Sequence, residues 1–289
     1  MSTLVGKDGL ALSRKRRFMR FPLTRMVVAI FMTALAGGLT LTYADKIADL
    51  WAQVMWPEFL AATAVLLAYR LYVHLFERRP MTELACANAL PELGAGLLTG
   101  AGLATCSIAL LMAVGGYRIA GSNGLSATVI TPLAMMTFVG VFEEVLSRGI
   151  VFRIAEQSLG SWAALAISSL LFGLAHLPGE NAGALAIVIT VVAGVLFGAA
   201  YLMTRRLWLG IGIHIAWNYT LGSIYSIAVS GHEAKGLLQG TIFGPDWLTG
   251  GQYGLEASVF TLIVLATVAA YLLRRAWAKG HLFPAPWRR

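Results

Sequence analysis

The run "ALAIVITVVAGVLFGAAYLM", residues 184–203, is twenty residues long and carries no charge. As an α-helix it would rise about 30 Å, the thickness of a bilayer's hydrocarbon core. It is apolar on every face, whereas a surface helix of a soluble domain is apolar along one stripe. The run therefore reads as a membrane span. Outward from it, comparable apolar runs give about eight spans, near 26–43, 54–75, 93–115, 126–152, 161–177, 184–203, 207–229 and 256–273. The 289-residue chain is 58% hydrophobic and only 12% charged, which sets it apart from soluble domains, where about a quarter of residues are charged. The fold class expected is an all-α polytopic membrane protein, a bundle of about eight transmembrane helices.

The net charge of +8 could point to nucleic acid, but the basic residues sit in short clusters between apolar runs. "RKRR" (14–17), "ERRP" (77–80), Arg153, "RR" (205–206) and the tail "RRAWAKGHLFPAPWRR" (274–289) alternate with loops that carry only Lys46, Arg118 and Lys235. That alternation follows the positive-inside rule and excludes a nucleic-acid groove. It predicts cytoplasmic N- and C-termini, with a basic N-terminal segment over 1–25, one membrane domain over 26–273 and a basic tail over 274–289. The charged start is long and no small-residue cleavage site follows it, so an uncleaved first span is expected. The stretch 230–254 is rich in turn formers and reads as an extramembrane loop. Cys86 falls in a cytoplasmic loop and Cys106 inside a span, so no disulfide is expected.

Polar residues inside this apolar background are the exceptions. "FEEVLSRGIVFR", residues 142–153, places Glu143, Glu144 and Arg148 in the fourth span. An ionisable group at mid-membrane costs at least about 2.5–3.5 kcal/mol, so its presence requires a reason. Residues four apart share a helix face, so Glu144 can pair with Arg148, while Glu143, about 100° away, faces elsewhere. The fifth span ends "LLFGLAHLP", with Phe172 one turn before His176, and the seventh contains "GIGIHIAWNY", with His214 one turn before Asn218. Each feature has a plainer reading: a helix-stabilising ion pair, an interfacial histidine, an interhelical hydrogen-bonded pair. Together, in neighbouring spans of a chain otherwise poor in such groups, they indicate an intramembrane polar site.

The order EExxxR (Glu143, Glu144, Arg148), FxxxH (Phe172, His176) and HxxxN (His214, Asn218) resembles the CPBP family, the CAAX prenyl endopeptidases and their bacterial relatives, also called glutamic-type intramembrane proteases. The resemblance covers about 126–229; "RRP" (78–80) and "GPDWLTGG" (244–251) are similar more weakly. It implies an intramembrane endopeptidase of a bacterial inner membrane that cleaves a membrane-associated protein or peptide. It further implies Glu143 as the base that activates water, His176 as its helper, and His214 with Asn218 as the oxyanion-stabilising pair. Glu144 and Arg148 would support Glu143, and Phe172 would pack. No cofactor is expected. If a metal were used, Glu143, His176 and His214 would be its ligands and zinc would suit them, but no HExxH is present.

Two other readings compete: a non-catalytic membrane partner, such as an immunity or assembly factor on the same scaffold, and a proton-coupled transporter, which would predict inverted repeats that the sequence lacks. One geometric demand also follows. In this span order His214 lies near the cytoplasmic end of its helix and His176 near the outer end of its own. A shared site requires a helix that is short, tilted or broken.

Overall fold

A computed structural model describes residues 21–48 and 55–288; the basic segment at the N-terminus lies almost wholly outside them. The chain forms helices α1 (Pro22–Ala48), α2 (Trp56–Tyr72, extended by a wide turn to Glu77) and α3 (Ala89–Ala113). Strand β1 (Tyr117–Ser122) and the single turn α4 (Ala127–Ile130) lead into α5 (Pro132–Glu144), a π-helical segment (Val145–Phe152) and α6 (Arg153–Leu159). Helices α7 (Ser161–Ala175), α8 (Ala184–Thr204) and α9 (Trp208–Tyr219, then wide turns to Ile224) follow. Strand β2 (Leu238–Ile242), the turn α10 (Asp246–Thr249) and α11 (Val259–Ala278) complete the chain.

Six helical stretches are long and apolar enough to cross a membrane: Pro22–Ala44, Trp56–Glu77, Ala89–Ala113, Ala127–Leu159, Ala184–Thr204 and Val259–Ala278. The other two expected spans correspond to α7 and α9, which are shorter, so the chain is an all-α polytopic membrane protein with two abbreviated helices. Helix α8 is the axial element, with 61% of its most apolar window buried, whereas α1, at 17%, lies on the outside. The first span is longer than the sequence suggests, because Gly37 and Gly38 do not break it. Gly37 is a contact point: a Cβ there would lie 2.9 Å from Val65 Cγ2 and 3.3 Å from the Phe138 ring.

Glycines also place α9. A Cβ on Gly96 would stand 2.4 Å from the Leu209 carbonyl oxygen, one on Gly100 2.2 Å from that of Ile213, and one on Gly212 2.4 Å from that of Leu93. The α3 and α9 backbones are in direct contact, the small-residue packing that membrane helices use in the absence of a hydrophobic driving force.

One end of the bundle is tied by arginines. Arg153 Nη2 donates to Glu77 Oε1 (2.8 Å), and Arg153 Nε donates to the Gly149 carbonyl (2.8 Å), which also accepts from the Tyr69 hydroxyl (2.8 Å). Arg25 and Arg79 pair with Glu77, and Glu83 accepts from both Arg79 and Tyr69. Arg205 pairs with Glu156 and Arg206 with Glu92 beside them. Glu83 and Arg153 are buried. The opposite end carries the only sheet among the described residues, an antiparallel pair of β1 and β2 running from Tyr117↔Ile242 to Ser122↔Leu238. This is a departure from the loop expected over 230–254. Gly240 makes it feasible, since a Cβ there would collide with the Tyr117 ring, whose hydroxyl donates to the Tyr225 carbonyl (2.7 Å).

Two outcomes follow for stability, both readable by thermal unfolding in detergent. Gly100→Val should destabilise by about 1–3 kcal/mol through overpacking of α3 against α9, while Gly38→Ala, where a Cβ meets nothing within 4 Å, should be neutral or stabilising. Burial alone would raise the Glu83 carboxyl, but hydrogen bonding and charge from Arg79, with Arg153 behind, hold it below the ordinary carboxylate value. Its contribution is therefore complete above about pH 4.3 and lost as pH falls through the lower folded value. Glu83→Gln should cost about 1–3 kcal/mol at neutral pH by removing a charge-assisted partner of Arg79 and Arg153, which both keep Glu77, and should flatten the acid limb.

Candidate active site

Glu143 and Glu144 close α5, and the chain then widens into the π-helical segment Val145–Phe152. Wide turns inside α-helices occur frequently at functional sites. Arg148 lies within this one and is fully buried. Its Nη1 donates to Glu144 Oε1 (2.9 Å) and its Nη2 to the Gly194 carbonyl of α8 (2.8 Å). That reach depends on close packing of α7 and α8, where a Cβ on Gly194 would stand 2.8 Å from Ser169 Cα. The guanidinium sits over two aromatic faces, 4.7 Å from the Phe172 centroid and 5.0 Å from that of Phe197. Ring quadrupoles attract a cation most strongly where water is excluded, by about 2 kcal/mol or more.

The adjacent carboxylates split as their spacing requires. Glu144 is buried against Arg148, whereas the Glu143 side chain keeps 26% of its surface accessible. The divergence is incomplete, because one imidazole lies between them. His214 Nδ1 lies 3.4 Å from Glu144 Oε1, and its Nε2 lies 3.7 Å from Glu143 Oε2. Gly210, one turn earlier on α9, admits the Glu144 carboxylate, since a Cβ there would stand 2.8 Å from Oε2. The His214 ring also stacks on Phe197 at 4.7 Å between centroids. Asn218 is buried one turn further along the same helix. Glu143 Oε2 is enclosed without a protein hydrogen-bond donor, which leaves it able to accept a proton or hydrogen bond within the site.

His176 is the residue that ends α7. Its Nδ1 lies 2.8 Å from the Phe172 carbonyl, which only accepts, so Nδ1 carries the proton and the neutral ring keeps a lone pair on Nε2. Its ring packs on Phe172 at 4.9 Å. Glu143, His176, His214 and Asn218 line one cavity of about 1090 Å³, together with Phe172 and Phe197. The demand on depth is met by short helices. With fifteen residues in α7 and twelve in α9, the two histidines approach one level from opposite ends, and Phe172 reaches both. Among the described residues no three His, Cys, Asp or Glu side chains are arranged to hold a metal ion.

Two contributors were not foreseen. Phe197 stands between His214 and Arg148, yet in sequence it is one more aromatic in an apolar run, with no signal to mark it. Glu256 accepts from Trp217 Nε1 (2.9 Å), the Ser230 backbone N–H (2.5 Å) and the Ser230 hydroxyl (3.0 Å). It fixes the residue before Asn218 and the loop over the cavity. Its one sequence signal is an isolated acid at the start of the last span.

Residues 125–220 match the family model described as Rce1-like, Type II CAAX prenyl endopeptidase Rce1-like. No curated protein and no solved structure matches the chain. The matched segment runs from the turn before α5 to the end of α9, and so contains every residue of the three motifs. Over that segment this membrane protein is similar to the CAAX prenyl endopeptidase-related proteases.

Proposed function

We propose that the protein is an intramembrane endopeptidase that hydrolyses a peptide bond in a membrane-associated protein, with Glu143 as the base. The observation that carries this reading is the unequal treatment of the two carboxylates. Glu144 is committed to Arg148, while Glu143 faces a cavity shared with His176, His214 and Asn218.

In this reading Glu143 accepts a proton from water as the water oxygen attacks the scissile carbonyl carbon. Nε2 of His176 accepts the water's other proton in a hydrogen bond and orients it. The carbonyl oxygen becomes negative, and donors fixed in a low-dielectric site stabilise it far more than water would. The Asn218 amide is one donor. His214 is the other: in the form that carries both protons it donates Nδ1–H to Glu144 and Nε2–H toward the oxyanion. Collapse breaks the C–N bond, and the proton held by Glu143 passes to the leaving amine, which yields a new carboxylic acid and a new amine that ionise to carboxylate and ammonium on release. Arg148 holds Glu144 in place. No step in this sequence is routed through a metal.

Comparative proteomics of membranes containing the wild type or Glu143→Gln tests the reading. The variant should accumulate a full-length membrane protein at normal expression of the enzyme, with turnover slowed about 10²–10⁴-fold, the usual worth of a general base. Asn218→Ala should slow it about 10²–10³-fold, as for other oxyanion donors. Unchanged turnover in Glu143→Gln would exclude the hydrolase and favour a non-catalytic membrane partner. A chelator should leave turnover by the wild type unchanged; loss of activity reversed by zinc would overturn the metal-free mechanism.

A further inference from the structure

The cavity belongs to one end of the bundle. Beyond the motif residues its polar rim is formed by Thr128 and Thr131 and by the loop residues His232, Glu233 and Lys235, while an apolar flank runs along α5 and the wide-turn segment as far as Ile30 and Val151. The polar rim lies at the end that carries the β1–β2 sheet. None of the lining comes from 77–92, 153–161, 204–209 or 274–289, the segments that build the arginine-tied end. That end is plugged instead: Arg153, Glu77, Arg79, Glu83 and Tyr69 interlock across it, and the Glu144–Arg148 pair closes the bundle above them. A peptide therefore has a polar approach to Glu143 from the sheet end, whereas the charged residues of the arginine end are engaged with one another.

Charge distinguishes the two ends. The plugged end holds Arg25, Arg78, Arg79, Arg153, Arg205, Arg206, Arg274, Arg275 and Lys279. The open end holds Lys46, Arg118 and Lys235 against Glu58, Glu180, Glu233, Asp246 and Glu256. Short loops rich in arginine and lysine stay in the cytoplasm, since translocating them is opposed during insertion. The mouth of the cavity is therefore on the extracytoplasmic side. On its flank the lining is apolar and partly exposed, with Met135 of α5 and Leu171 of α7. A hydrophobic anchor lying in the bilayer fits that flank, with the adjoining polar segment at the watery rim formed by His232, Glu233 and Lys235.

We propose that the substrate is a translocated, membrane-anchored polypeptide whose scissile bond lies at the extracytoplasmic edge of its anchor. This deepens the hydrolase reading and rests on it; a translocation step must supply such a substrate.

The test has two arms, and the first is independent of catalysis. In a Cys106→Ser background, a membrane-impermeant maleimide is applied to intact cells expressing either the native Cys86, in the arginine-end loop, or Cys86→Ser with Lys235→Cys. Both positions are exposed. Lys235→Cys should label in intact cells, whereas label on Cys86 should be lost there and appear on lysis; Glu233→Cys repeats the measurement should Lys235→Cys fold poorly. The opposite pattern overturns the inference and leaves the hydrolase intact. In the second arm, the cleavage sites of proteins that accumulate with Glu143→Ala are mapped. Sites on the extracytoplasmic side support the inference, and sites on the cytoplasmic side overturn it. Accumulation of nothing overturns the hydrolase reading, and the inference with it, whatever the labelling shows.

Discussion

Arg148 is a fully buried cation in a protein with few charges, and the site is arranged to accommodate it. An unpaired charge in such a place would cost several kcal/mol even after relaxation. Glu144, the Gly194 carbonyl and the faces of Phe172 and Phe197 each remove part of that penalty. They come from three separate elements, so solving the problem of one guanidinium fixes α5, α7 and α8 relative to one another. Glu144 cannot rotate away without stranding Arg148. With Glu144 fixed, the next residue along the chain has its direction set, and His214 is held between the two carboxylates.

The bundle combines two modes of cohesion. The arginine-tied end is held by directional, charge-assisted hydrogen bonds in which the carboxylates of Glu77, Glu83 and Glu156 are buried and most of the arginines remain partly exposed. Deeper in the membrane, where charge is scarce, glycines bring backbones into contact, and α9 takes its place against α3 by shape alone. The motif histidine and asparagine ride on the helix placed by contact, and the carboxylates ride on the helix locked by charge. The geometry of the site is thus the offset between two independently anchored helices.

Much of this was legible in the residues. Spacing of four gave the Glu144–Arg148 pair and set His214 and Asn218 on one face, because helical periodicity is local and needs no tertiary information. Hydropathy placed the crossings, since a bilayer permits few alternatives to apolar helices. Relations between distant segments were not legible. The straddling of His214 by both carboxylates depends on where α9 packs, and a local angle of about 100° between neighbours suggests instead that the two acids part company. The β1–β2 pairing joins segments more than a hundred residues apart through short, turn-rich stretches that carry no clear alternation. Phe197 is hidden for the opposite reason, because an apolar span offers no contrast against which one ring could stand out.

The brevity of α7 reaches beyond the protein. Fifteen helical residues rise about 22 Å, well short of a hydrocarbon layer about 30 Å thick. Lipid beside a helix with such a hydrophobic mismatch must thin, or water must enter, at a cost of a fraction of a kcal/mol per Å. Because α7 ends at His176, the deformation is greatest beside the cavity. The protein thus brings the aqueous boundary inward to the level of its polar cavity.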